Sequence, residues 1–242
     1  MVETAERKAL TQGLEELNEN MTTMAELSVL AIRKAVLSLG KAANGEVDEV
    51  FTLDQEIYGL KQQIEHSCIE LIALYAPVAA DLRTITVSLG ITTDLDRIGR
   101  YSKDIAEAAR KLAGVGQNLE TVGNLSRMGE LTIEMIETAV NAFVARTADP
   151  VLDIVHHDDV VDALHEEIFQ ELVDRMSDHT IDPRIGAQYV LINRYFERLS
   201  DHAVNIGLDV IYMVTGRRLV KPKREPTSTP AVPGPTSHTE FK

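Results

Sequence analysis

The feature that most constrains this 242-residue chain is that its body is written twice. Asp81-x-Arg83 returns 101 residues later as Asp182-x-Arg184, Asp96-Arg97-Ile98 as Glu197-Arg198-Leu199, and Ile105 as Ile206. Further toward the N-terminus the offset is 104, with Leu27, Ile32, Ala35 and Asp54 matching Leu131, Ile136, Ala139 and Asp158. A three-residue difference in one loop accounts for the change of offset. Two superimposable units follow, a duplication rather than a solenoid, which would need more copies.

Each unit reads as three helices. Apolar residues recur at helical spacing, as in Ile91, Leu95, Ile98, Ile105, Ala109, Leu112 and in Ile192, Phe196, Leu199, Ala203, Ile206, Val210. Before residue 222 the only prolines are Pro77, Pro150 and Pro183, each where a stripe breaks, because proline lacks an amide and clashes inside a helix. Gly45, Gly114 and Gly116 stand where turns are needed. The spacing predicts helices at about 4–43, 47–75, 79–113, 118–147, 151–178 and 183–215. The fold is therefore all-α: two tandem pseudo-symmetric three-helix bundles over 1–115 and 116–216. After them comes a disordered basic, Pro/Ser/Thr-rich tail over 217–242, which has little to bury.

Composition excludes several functions. Trp is absent and aromatics are 5%, so cores rest on Leu, Ile, Val, Ala and Met. The net charge is −14, and residues from Arg217 onward hold six Lys and Arg against two Glu, so the body is more acidic still. Such a surface repels phosphate backbones and attracts cations, which argues against nucleic acid as a partner. Cys68 is the only cysteine, read as a small core filler in a reducing compartment. Met1–Glu6 shows no signal-peptide pattern, and no charge-free stretch approaches a membrane span, so the expected location is the cytoplasm. No phosphate loop, activated nucleophile or Glu-x-x-His pair is present, and catalysis has no candidate residues.

The carboxylates are more informative. Acids four residues apart share a helix face, with Cβ atoms roughly 5–6 Å apart. Asp158 and Asp162 form such a pair on the fifth helix; Glu197 and Asp201 form another on the sixth, followed by His202 and Asn205. Two such pairs on neighbouring helices make a four-carboxylate patch suited to hard cations. Glu197 and Asp201 fall away from the Leu199 stripe, which places the patch on the bundle's surface. Spacing alone equally suits an acidic face that only solubilises. His156, His157 and His165 lie near the first pair, but nothing in the sequence selects among them.

Asp81-Leu82-Arg83, Asp94-Leu95-Asp96-Arg97-Ile98-Gly99 and Glu197-Arg198-Leu199-Ser200-Asp201-His202-Ala203-x-Asn205-Ile206 resemble the PhoU family of phosphate-transport regulators, over about residues 5–215. The resemblance implies two three-helix bundles and no enzymatic activity. It implies a negative regulator that links a phosphate ABC transporter to a membrane sensor kinase, as a homodimer or higher oligomer, with membrane contact only peripheral and through partners. It also implies metal on acid-x-x-x-Asp motifs, either iron or else Mg, Mn, Ca or Zn. Asp158, Asp162, Glu197 and Asp201 match that pattern; Asp54, Asp96, Asp94 and His202 are secondary candidates. The first repeat departs from it: Tyr58 and Arg100 replace the second acids, Tyr101 stands for His202, and Asp104 for Asn205. One intact metal site in the second bundle is expected, with the first lost or altered. The competing readings are a metal-storage or metal-sensing protein and an inert structural bundle. The basic run Arg217–Arg224 reads as lipid or acidic-partner contact, or, preferred, as a helix C-terminal junction.

Overall fold

The computed structural model describes residues 2–40, 44–116 and 122–220. Six helices follow one another: α1 (Val2–Ser38), α2 (Asn44–Tyr75), α3 (Ala79–Ala113), α4 (Leu125–Ala145), α5 (Val151–Ser177) and α6 (Pro183–Thr215). Among the described residues there is no strand. No helix there is long and apolar enough to cross a membrane.

Local chemistry explains the boundaries. Asp182 caps α6, its carboxylate accepting from the Arg184 amide at 2.8 Å, and Pro183 takes the first position, where its missing amide costs nothing. Gly216, at φ 71°, closes the same helix in the left-handed region. The α2–α3 turn needs two left-handed alanines, Ala76 and Ala79, flanking Pro77-Val78. Helix α4 is shorter than the spacing predicts. It starts only at Leu125 and stops at Arg146, whose φ of 51° breaks the helix while Thr147 N bonds Ala142 O at 3.0 Å. Helix α1 likewise ends at Ser38 rather than 43; residues 41–43 and 117–121 lie outside the described residues. Of the tail, 217–220 has no regular structure, and 221–242 is outside the described residues.

The helices pack as two triples. Helices α1, α2 and α3 contact one another, and so do α4, α5 and α6; the triples are joined by α3 on α6 and α1 on α4. Leu17, Met21, Met24, Ile32, Ile57 and Leu95 of the first triple and Tyr189, Phe196, Ile192 and Met135 of the second are buried in one continuous apolar cluster. Each such side chain contributes about 1.5–3 kcal/mol on leaving water. Phe196 lies over Gly129, where a Cβ would come within 3.0 Å of its ring, so the glycine sets how closely α4 and α6 approach. Cys68 is buried with its thiol against Ile85 O, and burial pushes its pKa up to about 12, which leaves it unreactive.

The symmetry of the duplication is visible in side-chain contacts. Arg33 of α1 is ion-paired with Glu137 of α4, and these positions differ by the repeat offset of 104. Tyr101 of α3 stacks on His202 of α6 at 5.8 Å, and these differ by the other offset, 101. Equivalent residues touch each other only on a twofold axis, so the pseudo-twofold passes through both contacts.

Candidate functional site

Helices α5 and α6 pack on each other, and each carries a pair of acids. Asp158, Asp162 and His165 share one face of α5, at spacings of four and three residues. From α6, Asn193 and Ser200 reach across to α5, and Glu197 and Asp201 lie on the same helix beside them. Ser200 Oγ donates to Asp158 Oδ1 at 3.2 Å, and Asn193 Nδ2 donates to the His165 carbonyl at 2.9 Å. Glu197 is held above the usual carboxylate range, first by burial and then by the Asp201 charge; Arg194, Arg198 and His165 oppose this. Arg194 reaches Glu197 Oε1 at 2.8 Å, while Glu197 Oε2 and the buried His165 Nδ1 make no hydrogen bond among the described residues.

One acid of the four lies deeper than the helical wheel implies. Asp158 is wholly buried rather than on the bundle surface as expected, whereas Asp162, Glu197 and Asp201 are partly exposed. The wheel places Glu197 opposite the Leu199 stripe, but α5 packs on that flank of α6 and covers it. Of the three histidines near the first acid pair, His165 lies on the flank that meets α6, where its backbone carbonyl accepts from Asn193, whereas His156 is exposed.

The corresponding seam of the first bundle is built differently. Asp54 and Asp96 are buried at the positions of Asp158 and Glu197, but each meets a lysine from the opposite helix. Lys103 of α3 reaches Asp54 at 2.8 Å, and Lys61 of α2 reaches Asp96 at 3.0 Å. Arg100 adds a weaker contact to Asp96 at 3.8 Å. The pairs are reciprocal: on each helix the acid precedes the lysine by seven residues, and antiparallel packing brings each acid beside the other helix's lysine. Tyr58 is half-exposed beside Arg100 in a shallow cleft of about 360 Å³.

Asp94 and His202, secondary metal candidates from sequence, belong to neither seam. His202 Nδ1 lies 2.7 Å from Asp94 Oδ1, and Asn205 Nδ2 donates to the same oxygen at 3.4 Å, across the α3–α6 interface between bundles. Asp94 therefore does not stand in for the missing acid of the first bundle. Asp209 lies nearby, its carboxyl pushed up by burial and then by Asp94, with Arg218 opposing. On the pseudo-symmetric side Tyr195 replaces Asp94, packs on Tyr101 at 5.7 Å, and has its hydroxyl pKa raised by burial and by Asp104.

A family profile described as PhoU domain matches this chain twice, over residues 21–109 and 125–210. The chain belongs to the PhoU family. The two PhoU matches fall one on each helical triple. A relative from Clostridium acetobutylicum, described as a phosphate-specific transport system accessory protein PhoU homolog, is 31% identical over 88% of this chain and 97% of its own. PhoU homolog 1 from Mycobacterium tuberculosis is 32% identical over 92% of this chain and 99% of its own. Crystal structures of PhoU from Pseudomonas aeruginosa and of the phosphate transport system regulatory protein PhoU from Streptococcus pneumoniae superpose with TM-scores of 0.79 and 0.78. They are 28% and 26% identical, and cover 86% and 87% of this chain and 99% of each structure. In this PhoU-family chain the acid surplus lies at the α5–α6 seam. Among the described residues, no three His, Cys, Asp or Glu side chains stand close enough together, as placed, to hold an ion.

Proposed function

We propose that this chain is a non-enzymatic regulator of phosphate uptake and phosphate homeostasis, acting in the cytoplasm as an accessory protein of a phosphate ABC transporter. In this reading it signals to a membrane sensor kinase that phosphate is plentiful, and so represses the starvation response. The observation that carries it is the likeness to phosphate-transport accessory proteins along nearly their whole length, with a PhoU domain in each bundle. Deleting the gene should raise phosphate accumulation and switch on starvation-induced transcription in phosphate-rich medium, with both reversed by the restored gene. Unchanged phosphate content in the deletion strain refutes it.

The same proposal includes a cation on the α5–α6 seam. The donor set suits one: oxygen ligands from Asp158, Asp162, Glu197 and Asp201, with a buried imidazole nitrogen at His165 that makes no hydrogen bond. Glu197 resists ionisation where it stands, so a cation would relieve its burial and its repulsion from Asp201. Because the side chains are not already gathered around a point, binding requires them to rotate inward. Iron, Mn, Mg, Ca and Zn are the candidates. Its chemistry would be structural charge neutralisation, drawing α5 and α6 together. Equilibrium dialysis with elemental analysis should find metal in the wild type and none in Asp201→Ala; equal metal in both contradicts the assignment, and a second cluster per chain contradicts its restriction to the second bundle.

A further inference from the structure

Two segments distant in sequence meet at one end of the molecule. One is the α2–α3 turn, where Leu74 is 69% and Val78 73% exposed, with Leu82 beside them. The other is the end of α6 and the residues after it, where Val214, Leu219 and Val220 (86%) are exposed. Arg83 fastens one to the other. Its Nε donates to the Met213 carbonyl at 3.1 Å, and its guanidinium lies where a Cβ on Gly216 would approach to 3.0 Å. Arg217 and Arg218 sit at this junction, and Lys221, Lys223 and Arg224 follow in sequence. Arg218 rests on the Tyr212 ring at 4.4 Å.

The fold does not require this end to be apolar. In the second bundle the equivalent turn presents Asp178, His179, Thr180 and Asp182, with Asp178 at the position of Leu74. There the Asp178 carboxylate accepts from the Thr180 amide at 2.9 Å and its hydroxyl at 2.7 Å. The same supersecondary unit is thus closed once by polar residues and once by exposed aliphatic ones. Single exposed aliphatic residues are ordinary, but a group of them beside Arg217 and Arg218, with three more cations following in the sequence, on a chain of net charge −14, is a distinct surface.

We infer that this end docks on the surface of an anionic lipid bilayer. Aliphatic side chains at a turn protrude rather than line a groove, so they suit the headgroup boundary better than a partner's side chains. Each cation near an anionic leaflet strengthens binding by about fivefold. The acidic remainder of the molecule is repelled by the same leaflet, which orients the chain with this end down. This reading differs from the helix-terminal junction expected for the basic run; α6 has no basic residue in its last turn, and Arg217 follows its C-cap Gly216. The inference does not rest on phosphate regulation or on the cation site, because it is measured without either.

The test is sedimentation of the full chain with phosphatidylcholine vesicles, with and without phosphatidylglycerol. Binding should be at least about tenfold tighter with phosphatidylglycerol and should weaken as salt rises. Leu74→Glu/Val78→Glu and Arg217→Gln/Arg218→Gln/Lys221→Gln should each lower it at least about tenfold, while Asp178→Asn/His179→Gln at the opposite turn leaves it unchanged. All these positions are exposed or lie in the tail, and helical circular dichroism verifies the fold. Wild-type binding that ignores phosphatidylglycerol, or variants that bind as the wild type does, overturns the inference. So does tight binding to polyglutamate without binding to vesicles, which would assign the surface to an acidic protein.

Discussion

Replacing Lys103 with Met removes one cation of the α2–α3 clasp and leaves Asp54 buried without it. The ammonium sits 2.8 Å from a carboxylate whose side chain is 10% exposed, while the lysine itself is 27% exposed. Removing one partner of a fully buried pair costs about 3–5 kcal/mol. Partial access of water on the lysine side lowers the expected cost to about 2 kcal/mol. The second pair, Lys61 with Asp96, lies seven residues away on each helix, forward on α2 and back on α3, about 10 Å along the seam, so the two losses should add to about 4 kcal/mol in Lys61→Met/Lys103→Met. For a chain of this size each kcal/mol corresponds to about 2–4 °C, so Lys103→Met should melt about 4–8 °C lower, followed by circular dichroism in EDTA. The companion Asp54→Asn/Lys103→Met removes the orphaned charge and should recover more than half of the loss. The reasoning fails if Lys103→Met melts within about 1 °C of the wild type. It fails equally if the companion is no more stable than the single variant.

Other perturbations address the interface between bundles. Burial and the Asp94 charge raise Asp209, so the folded chain holds that proton more tightly than the unfolded one. Its contribution favours the fold at low pH and is lost as pH rises through the folded pKa. Asp209→Asn should therefore raise the urea midpoint at pH 7.5, with the gain fading as pH falls toward about 4, the ordinary aspartate range; a gain of equal size at both pH values would mean that titration is not its source. Arg83→Met keeps the aliphatic stem but loses the bond to Met213 O, and should cost about 1 kcal/mol in denaturant unfolding. Arg33→Glu should cost up to about 1 kcal/mol by facing Glu137, and Arg33→Glu/Glu137→Arg should restore it, as a thermal-shift double-mutant cycle would reveal.

Much of the architecture was legible in the residues because local signals coincided. Pro77, Pro150 and Pro183 interrupt three helical stripes, and α3, α5 and α6 start where those interruptions predict. The late start of α4 was not legible, since Val122 is buried like a helical core residue yet lies in a turn. The facing of Asp158 with α6 followed from spacing and is seen in its bond to Ser200. Its depth did not follow, because a wheel drawn on one helix carries no information about which flank its neighbour covers. The role of Lys61 and Lys103 has a sequence signal: in each helix the acid is followed seven residues later by lysine, at 54 and 61 and at 96 and 103. The second bundle has His165 and Val204 at those places. Asp94 and His202 could not be paired from sequence, because their contact depends on α3 packing on α6 across the duplication.

Joining the two units in one chain is what permits these differences. Where two identical chains meet about a twofold axis, a residue on that axis faces its own copy, and an arginine would face an arginine. Here the axial positions hold Arg33 against Glu137 and Tyr101 against His202. Off the axis the same divergence continues: His202 bonds Asp94 on one side, while Tyr101 packs on Tyr195 on the other. It reaches the seams as well. In the first bundle two lysines neutralise the buried acids from within, and in the second the equivalent places hold an imidazole and a valine, so Glu197 is raised by burial and by Asp201. The two seams thus differ in charge at four equivalent positions, Lys61, Tyr58, Arg100 and Lys103 against His165, Asp162, Asp201 and Val204, while the backbone that carries them stays a duplicate.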